Sequence, residues 1–502
     1  ILARRLPKIS ITLSSDVSPE MREFERFSTA CANAYVQPLM SRHLTALGHD
    51  LKAAGFNCPL FLMLSGGGIT TLDTAIRFPV RLVESGPAGG AIFASHVAHQ
   101  CGARDVVSYD MGGTTAKICM IDAFQPQTSR TFEVARVYRF MKGSGLPLRI
   151  PVIEMVEIGA GGGSLAHIDS LGRIAVGPES AGSEPGPACY GRGGTKPAVT
   201  DADVILGKID PNNFAGGRMT LNRDSAGKAI IAEVGKPLGL ELPHAALGVS
   251  EMVDENMANA ARVHAIESGK DIEIRTLIAF GGAAPIHVSR LAEKLAIPRV
   301  IIPTGAGVGS AIGFLRAPVA YEVIRSHHQR LSKFNGRAAT ALIAEMRAEA
   351  KKVVEPGAGG AKLVEKRIAF MRYVGQGHEV AVTLPADKFG VDAAKALRKA
   401  FEKSYSALYD RTIPHLDVEV LTWALLLSTP LPKPKALPSS KKKIKAKPVG
   451  KREIIDQATG RFVTAAVYQR SDLVPGSVMP GPAVIVENDT ATVVGKGYDA
   501  SI

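Results

Sequence analysis

Six consecutive residues, Asp110-Met111-Gly112-Gly113-Thr114-Thr115, bring a carboxylate, two glycines and two hydroxyls into one short stretch. Glycine leaves backbone N–H groups uncovered, which close approach to a phosphate requires. Asp110 is suited to hold Mg2+ through water, Gly112 and Gly113 to let the backbone meet phosphoryl oxygens, and Thr114 and Thr115 to donate to them. A bare tight turn accounts for the glycines alone. The phosphate-binding reading is therefore preferred.

The elements around this stretch have to hold it in place. Val106 to Tyr109 reads as a strand running into it and Lys117 to Ile121 as the returning strand, so the motif is expected at a hairpin. Upstream the same alternation recurs: Leu60 to Leu64 runs into Ser65-Gly66-Gly67-Gly68, and Val80 to Val83 runs into the glycine turn Glu84 to Gly90, with a helix after it. Downstream, Ala246 to Gly269 has helical periodicity, followed by a strand at Thr276 to Phe280, then Gly281-Gly282-Ala283-Ala284-Pro285 and a helix to about Leu295. Strand, Gly-Gly and helix N-terminus is a geometry that admits a nucleotide. For Gly305 to Ser310, turn and phosphate readings both stand.

Other candidates are weaker. The glycine run Gly159 to Gly163 carries no acid, and the nearest before it are Glu154 and Glu157, one of which is expected to face solvent. Cys189 has no base at a fixed spacing and reads as a buried structural thiol. Asp201 and Asp203 either bind a cation or cap the following helix, with capping preferred for one of them. His287 reads as a polar pocket wall or a satisfied surface residue, and no HxH or HxxxH spacing marks a transition-metal site.

At 502 residues, 46% apolar and 21% charged, the chain is a folded protein of two or three domains. Its formal charge of +13 is concentrated: Lys433 to Arg452 holds nine Lys or Arg and no acid, which leaves +4 elsewhere. With Pro434, Pro438 and Pro448 in the same run, a solvated linker is expected and nucleic acid is not. Five cysteines without CxxC pairing argue against a disulfide framework and for a reducing cytoplasm. No apolar run approaches the roughly 18 to 20 residues that span a bilayer, so no membrane is expected.

The organisation read from these features is a helical connecting segment at 1–57, an α/β nucleotide-binding lobe at 58–330 and an α+β region at 331–432, followed by the basic linker at 433–452 and a β-rich C-terminal module at 453–502. The connecting helix is expected to begin at Ser18-Pro19-Glu20 and end at Gly55. Arg367 to Thr383 reads as paired strands and Val418 to Ser428 as another strand.

Four long runs in order, DMGGTTAK at Asp110–Lys117, VEIGAGGGS at Val156–Ser164, GPESAGSEPGPACYGRGGTKPAVTDADVILG at Gly177–Gly207 and AFGGAAPIH at Ala279–His287, resemble the hydantoinase/oxoprolinase family. That family includes hydantoinase A and relatives of acetone and acetophenone carboxylase subunits. The resemblance implies an α/β, actin/hexokinase-like fold with ATP between two lobes, DMGGTT as the second-lobe phosphate loop, and Gly281 and Gly282 lining the adenosine. It further implies ATP and Mg2+ as cofactors, with Asp110 the metal residue and Asp110, Thr114 and Thr115 catalytic. The implied partner is a larger hydantoinase B-like subunit, in a homo- or hetero-oligomer acting on a small molecule. A first phosphate loop of the type Asp-x-Gly-Gly-Thr is expected before Ile1 or on another polypeptide, and Lys117 stands where many relatives place an acid. Ring-opening hydrolysis of a hydantoin, 5-oxoproline or similar lactam is the first functional expectation. A ketone carboxylase subunit is the second, and a scaffold that has lost its nucleotide is the third.

Overall fold

The computed structural model describes residues 2–6, 9–137, 143–385, 389–431, 433–438, 440 and 442–502. The chain forms two compact units, each built from separated stretches: Ile1–Ala88, Thr128–Ile153 and Arg316–Pro432 in the first, and Gly89–Gln127, Glu154–Leu315 and Lys433–Ile502 in the second. This division differs from the sequence-based boundaries, because the segment 58–88 and the region 331–432 share the first unit.

In the first unit, strands Ala320–Arg330, Val418–Ser428, Val364–Tyr373 and Val380–Leu384 lie in that order in one antiparallel sheet. Helices Gly336–Val354 and Ala393–Tyr409 put Ile343, Met346, Leu397 and Phe401 into a core with Trp423, Met371 and Tyr373 of the sheet. The N-terminal helix runs from Glu23 to Ala53 and starts later than expected. Pro19 and Met21 are held outside it: the Ser326 N–H donates to the Pro19 carbonyl at 3.1 Å, and the Met21 N–H donates to the Ser326 hydroxyl at 2.8 Å.

A second expectation also fails here. Pro79–Leu82 is a turn of 3-10 helix, not a strand, and the glycine run after it lies inside the helix Ser85–Gln100. Phe78 and Val80 are drawn into a cluster with Val17, Leu148, Ile150 and Val152 instead of joining a sheet.

The second unit is organised on a mixed sheet. Its strands are β1 (Val106–Met111), β2 (Ala116–Asp122), β3 (Val156–Ile158), β4 (Thr276–Phe280) and β5 (Arg299–Ile301), in the order β3-β2-β1-β4-β5. β1, β4 and β5 are parallel, while β2 and β3 are antiparallel to their neighbours. Four consecutive buried residues in β1 and in β4 show why these strands read as continuous apolar runs: the central strands of the sheet are covered on both faces. Helices α1 (Val199–Ile205), α2 (Leu242–Glu267) and α3 (Ala284–Lys294) share one core with the sheet, which includes Tyr109, Met111, Met120, Val204, Met257 and Leu291.

The end of the chain is rich in strands, and Ile454, Ile455, Val484 and Val486 enter the same core. The strand Gly450–Asp456 begins within the basic run. Its Arg452 is mostly buried and pairs with Asp210 at 2.9 Å, so this end of the run is structural, not solvated linker. Ser439 and Lys441 of the run lie outside the described residues. Among the described residues no helix is long and apolar enough to cross a membrane.

Candidate functional site

The motif Asp110 to Thr115 sits at the tip of the β1–β2 hairpin, with Met111 paired to Ala116 and the Gly112 N–H donating to the Thr115 carbonyl at 3.1 Å. Gly113 and Thr114 are exposed, and among the described residues no acceptor takes their N–H groups. Such free N–H groups at a turn form a concavity for an anion.

Two neighbouring loops frame the tip. The glycine run lies backbone to backbone against it: the Gly162 N–H donates to the Gly112 carbonyl at 3.0 Å and the Gly163 N–H to the Gly113 carbonyl at 2.6 Å. A Cβ on Gly161 would sit 2.8 Å from the Gly113 and Thr114 backbone, so packing alone demands glycine there. Thr200, on α1, fixes the run from behind, its N–H and hydroxyl donating to the Gly162 carbonyl at 2.7 and 2.8 Å. On the other side, Gly281 follows β4 with φ of 93°, and a Cβ there would lie 2.7 Å from Asp110 Oδ1. The Ala283 N–H donates to the Met111 carbonyl at 3.0 Å and joins the second loop to the hairpin.

Gly112 and Gly113 differ from these packed glycines. Neither has a positive φ, and a Cβ on either would meet nothing within 4 Å. Neither turn geometry nor neighbours account for them, which leaves the space above the hairpin.

The Asp110 carboxylate is largely enclosed. Its Oδ2 accepts the Ser310 hydroxyl at 2.9 Å. Burial pushes its pKa above the usual carboxylate range, against the opposing effects of Ser310 and the Lys117 charge. Helix Ser85–Gln100 reaches it because Gly90 has no side chain: a Cβ there would come within 3.1 Å of Asp110 Oδ2. Close helix packing explains that glycine better than the expected turn does. Thr115 accepts a hydrogen bond from the Lys117 ammonium, and Thr114 points into solvent beside it. Gly282 is one residue farther out. Its carbonyl accepts the Thr490 hydroxyl at 2.9 Å, and it lines a cavity of about 140 Å³ with Phe214, Ile286, Arg452 and Glu487.

Behind the loops lies a buried ionic network. His287 Nδ1 is 2.9 Å from Asp254 Oδ1, and Nε2 is 3.1 Å from Asp203 Oδ2. Lys208 lies 3.5 Å from the other Asp203 oxygen and donates to the Ser250 hydroxyl at 2.8 Å, while Gln457 donates to Asp254 at 3.0 Å. His287 is thus neither a surface residue nor a pocket wall; it is fully buried. Burial by itself would lower the imidazole pKa, but the Asp203 and Asp254 carboxylates overcome it and raise it to about 9. An imidazolium donating from both nitrogens satisfies both partners. Asp203 is held below the usual range because His287 and Lys208 outweigh its burial.

Asp201 is the cap of the pair: its carboxylate accepts N–H groups from Ala188, Cys189 and Ala198 at 2.7 to 3.1 Å. Cys189 is fully buried and its thiol pKa is pushed far up by burial and by Asp201, which leaves it an inert structural thiol. Glu157 is half-exposed and pairs with Lys117 at 3.4 Å. The loop cluster therefore unites Asp110, Gly112, Gly113, Thr114, Thr115 and Gly281, with Gly282 beside them.

Residues 26–323 match the hydantoinase/oxoprolinase family, and residues 337–502 match the hydantoinase/oxoprolinase C-terminal domain. The chain belongs to the hydantoinase/oxoprolinase family. Its relatives include the uncharacterized protein MJ0964 of Methanocaldococcus jannaschii, 33% identical over 100% of this chain and 72% of that protein. Caprolactamase subunit alpha of Pseudomonas jessenii is 32% identical over 99% of this chain and 71% of that subunit. The acetophenone carboxylase gamma subunit of Aromatoleum aromaticum is 31% identical over 97% and 66%. Among solved structures, nucleotide-free acetone carboxylase superposes with a TM-score of 0.81 at 25% identity, over 97% of this chain and 69% of that one. The ATP-dependent caprolactamase of Pseudomonas jessenii superposes with a TM-score of 0.79 at 30% identity, over 100% and 72%.

Several residues of this hydantoinase/oxoprolinase chain escaped sequence reasoning. Ser310 was legible only as part of a glycine cluster, and its bond to Asp110 spans 200 positions. Nothing in the sequence pairs Asp254 with His287, 33 residues away. Thr200 lies within the run Gly177–Gly207, but its grip on Gly162 requires the fold.

Proposed function

We propose that this chain is a subunit of an ATP-dependent enzyme that activates a carbonyl by phosphorylating its oxygen, with ring-opening hydrolysis of a hydantoin, 5-oxoproline or related lactam as the preferred reaction. The observation that carries the reading is the contrast among glycines. Gly161 and Gly281 are demanded by packing, whereas among the described residues nothing lies within 4 Å of a Cβ on Gly112 or Gly113, and the N–H groups of Gly113 and Thr114, beside an enclosed carboxylate, find no acceptor. That is a cradle for phosphoryl oxygens.

An amide carbonyl is resonance-stabilised and a poor electrophile for water. Phosphorylation of its oxygen removes that resonance, so that water adds to the carbon, the ring C–N bond breaks with the amine leaving, and the acyl phosphate left behind is hydrolysed to carboxylate and phosphate. The tasks left to the chain are to align the phosphoryl donor and to keep water away from the phosphoryl group during its transfer. In this reading the Gly113 and Thr114 N–H groups and the Thr114 and Thr115 hydroxyls hold the phosphoryl end. Asp110, fixed by Ser310, orients the metal, and Gly281 and Gly282 line the nucleoside.

Among the described residues no cluster of three or more His, Cys, Asp or Glu is poised for a metal. The single carboxylate of Asp110 fits Mg2+ held chiefly by the nucleotide's own phosphates, and the ion's contribution is charge neutralisation.

The second reading is an ATP-driven ketone carboxylase subunit, favoured by the TM-score of 0.81 to acetone carboxylase. For either reaction the partner is a hydantoinase B-like subunit, and the setting is the cytoplasm. The test is phosphate release from ATP in the presence of that partner, with lactams and hydantoins against ketones with bicarbonate. Release that depends on a lactam supports the first reading. Release that depends on a ketone and bicarbonate supports the second, and none with either set leaves the scaffold.

A further inference from the structure

Across the sheet beneath the hairpin, four residues stand in one row: Glu157 of β3 opposite Lys117 of β2, Lys117 opposite Asp110 of β1, and Asp110 beside Phe280 of β4. Directly paired residues project to the same face. Lys117 therefore stands on the same face as the enclosed Asp110, in the strand that leaves the phosphate hairpin. Its side chain is 22% exposed and turns toward the tip, where the ammonium donates to the Thr115 hydroxyl. The other neighbour is Glu157, at 3.4 Å and itself 42% exposed. An ammonium carries three protons, and these two contacts use two of them.

Simple cross-strand pairing explains a lysine between two acids, but not why the ammonium leans on the hairpin hydroxyl. A cation held by one half-exposed carboxylate and one hydroxyl is weakly committed, and an incoming phosphate would outcompete both. Asp110 also responds to this charge, which works to keep its carboxyl ionised against burial.

We propose that Lys117 is a further phosphate-contacting residue of the site: its ammonium leaves Glu157 and meets the terminal phosphoryl group of the nucleotide beside Thr115. This rests on the reading of the hairpin as a phosphate cradle. Lys117 supplies a fixed positive charge where negative charge is transferred, and Glu157 parks it in the unliganded site.

The test compares full-chain protein, purified with any subunit that accompanies it, as wild type and as Lys117→Met, Lys117→Arg, Glu157→Gln and Asp110→Asn. ATP and ADP affinities and ATP turnover are measured for each. Lys117→Met should lose about tenfold or more of the preference for ATP over ADP, with ADP affinity retained, and about 10²-fold in kcat. Lys117→Arg should restore part of both, since it keeps the charge. Glu157→Gln should tighten ATP by about two- to fivefold, the range of a half-exposed ion pair. A merely structural lysine would weaken ATP and ADP alike. An unchanged ATP-over-ADP ratio in Lys117→Met, with Asp110→Asn impaired, overturns this inference and leaves the cradle standing. Absence of nucleotide affinity in the wild-type protein overturns both.

Discussion

The carboxylate of Asp110 and the hydroxyl of Ser310 meet at 2.9 Å across 200 residues of sequence, and Gly281 leaves room for the other carboxylate oxygen. The acid at the hairpin is thus fixed before any ligand arrives. Replacing Asp110 by Asn should abolish ATP turnover while the fold persists, because the amide keeps the shape and loses the charge. Steady-state kinetics with circular dichroism would check this. Turnover retained within about tenfold, equivalent to about 1.4 kcal/mol of barrier, would mean that Asp110 is not the metal-orienting residue.

The glycines divide by what surrounds them. Gly161→Ala should destabilise the protein by about 1–3 kcal/mol, because its Cβ would press on hairpin backbone that has no flexible end to move. Gly113→Ala should leave the melting temperature almost unchanged and weaken ATP by about tenfold or more, equivalent to about 1.4 kcal/mol. Thermal melts and nucleotide titrations of both variants separate the two roles. Equal effects on stability and binding in both would contradict the assignment.

This division also marks what was legible in the sequence. The hairpin at Asp110 to Thr115 could be read because strand-like runs flank a carboxylate, glycines and hydroxyls within a few residues. Glu84 to Gly90 was misread by the same logic, since glycine in a helix serves close packing, here against Phe280 and Phe314, and local sequence does not say which use applies. The partners of His287 and Asp110 lie on other elements, so no periodicity or spacing could disclose them. Arg452 looked like one more linker charge, and only the fold sets it beside Asp210.

His287 predicts a pH dependence. Its pKa is raised from an ordinary 6.5 to about 9, so its contribution to stability is complete below pH 6.5 and lost as pH rises through about 9. Asp203, Asp254 and Lys208 face it, and breaking such a buried network by removing one charge costs about 3–5 kcal/mol. His287→Gln should lower the melting temperature below pH 6.5 and flatten the decline toward pH 9. Melting curves across this range that run parallel for the two proteins would refute the doubly donating imidazolium.

The basic run should split into two behaviours. Changing Lys433, Lys435, Lys442 and Lys443 to Gln should leave ATP turnover and stability unchanged. Arg452→Gln should lower stability by removing the cation that pairs with Asp210. A large loss of turnover in the lysine variant would show that this stretch is a functional surface.

Hydrogen–deuterium exchange of the protein with and without ATP and Mg2+ reads the hairpin amides themselves. New protection is expected at residues 110–116, where the Gly113 and Thr114 N–H groups find no acceptor among the described residues, with further protection at 159–163 and 281–284. Bound nucleotide with no protection at 110–116, or protection confined to other segments, would contradict the hairpin as the phosphate site.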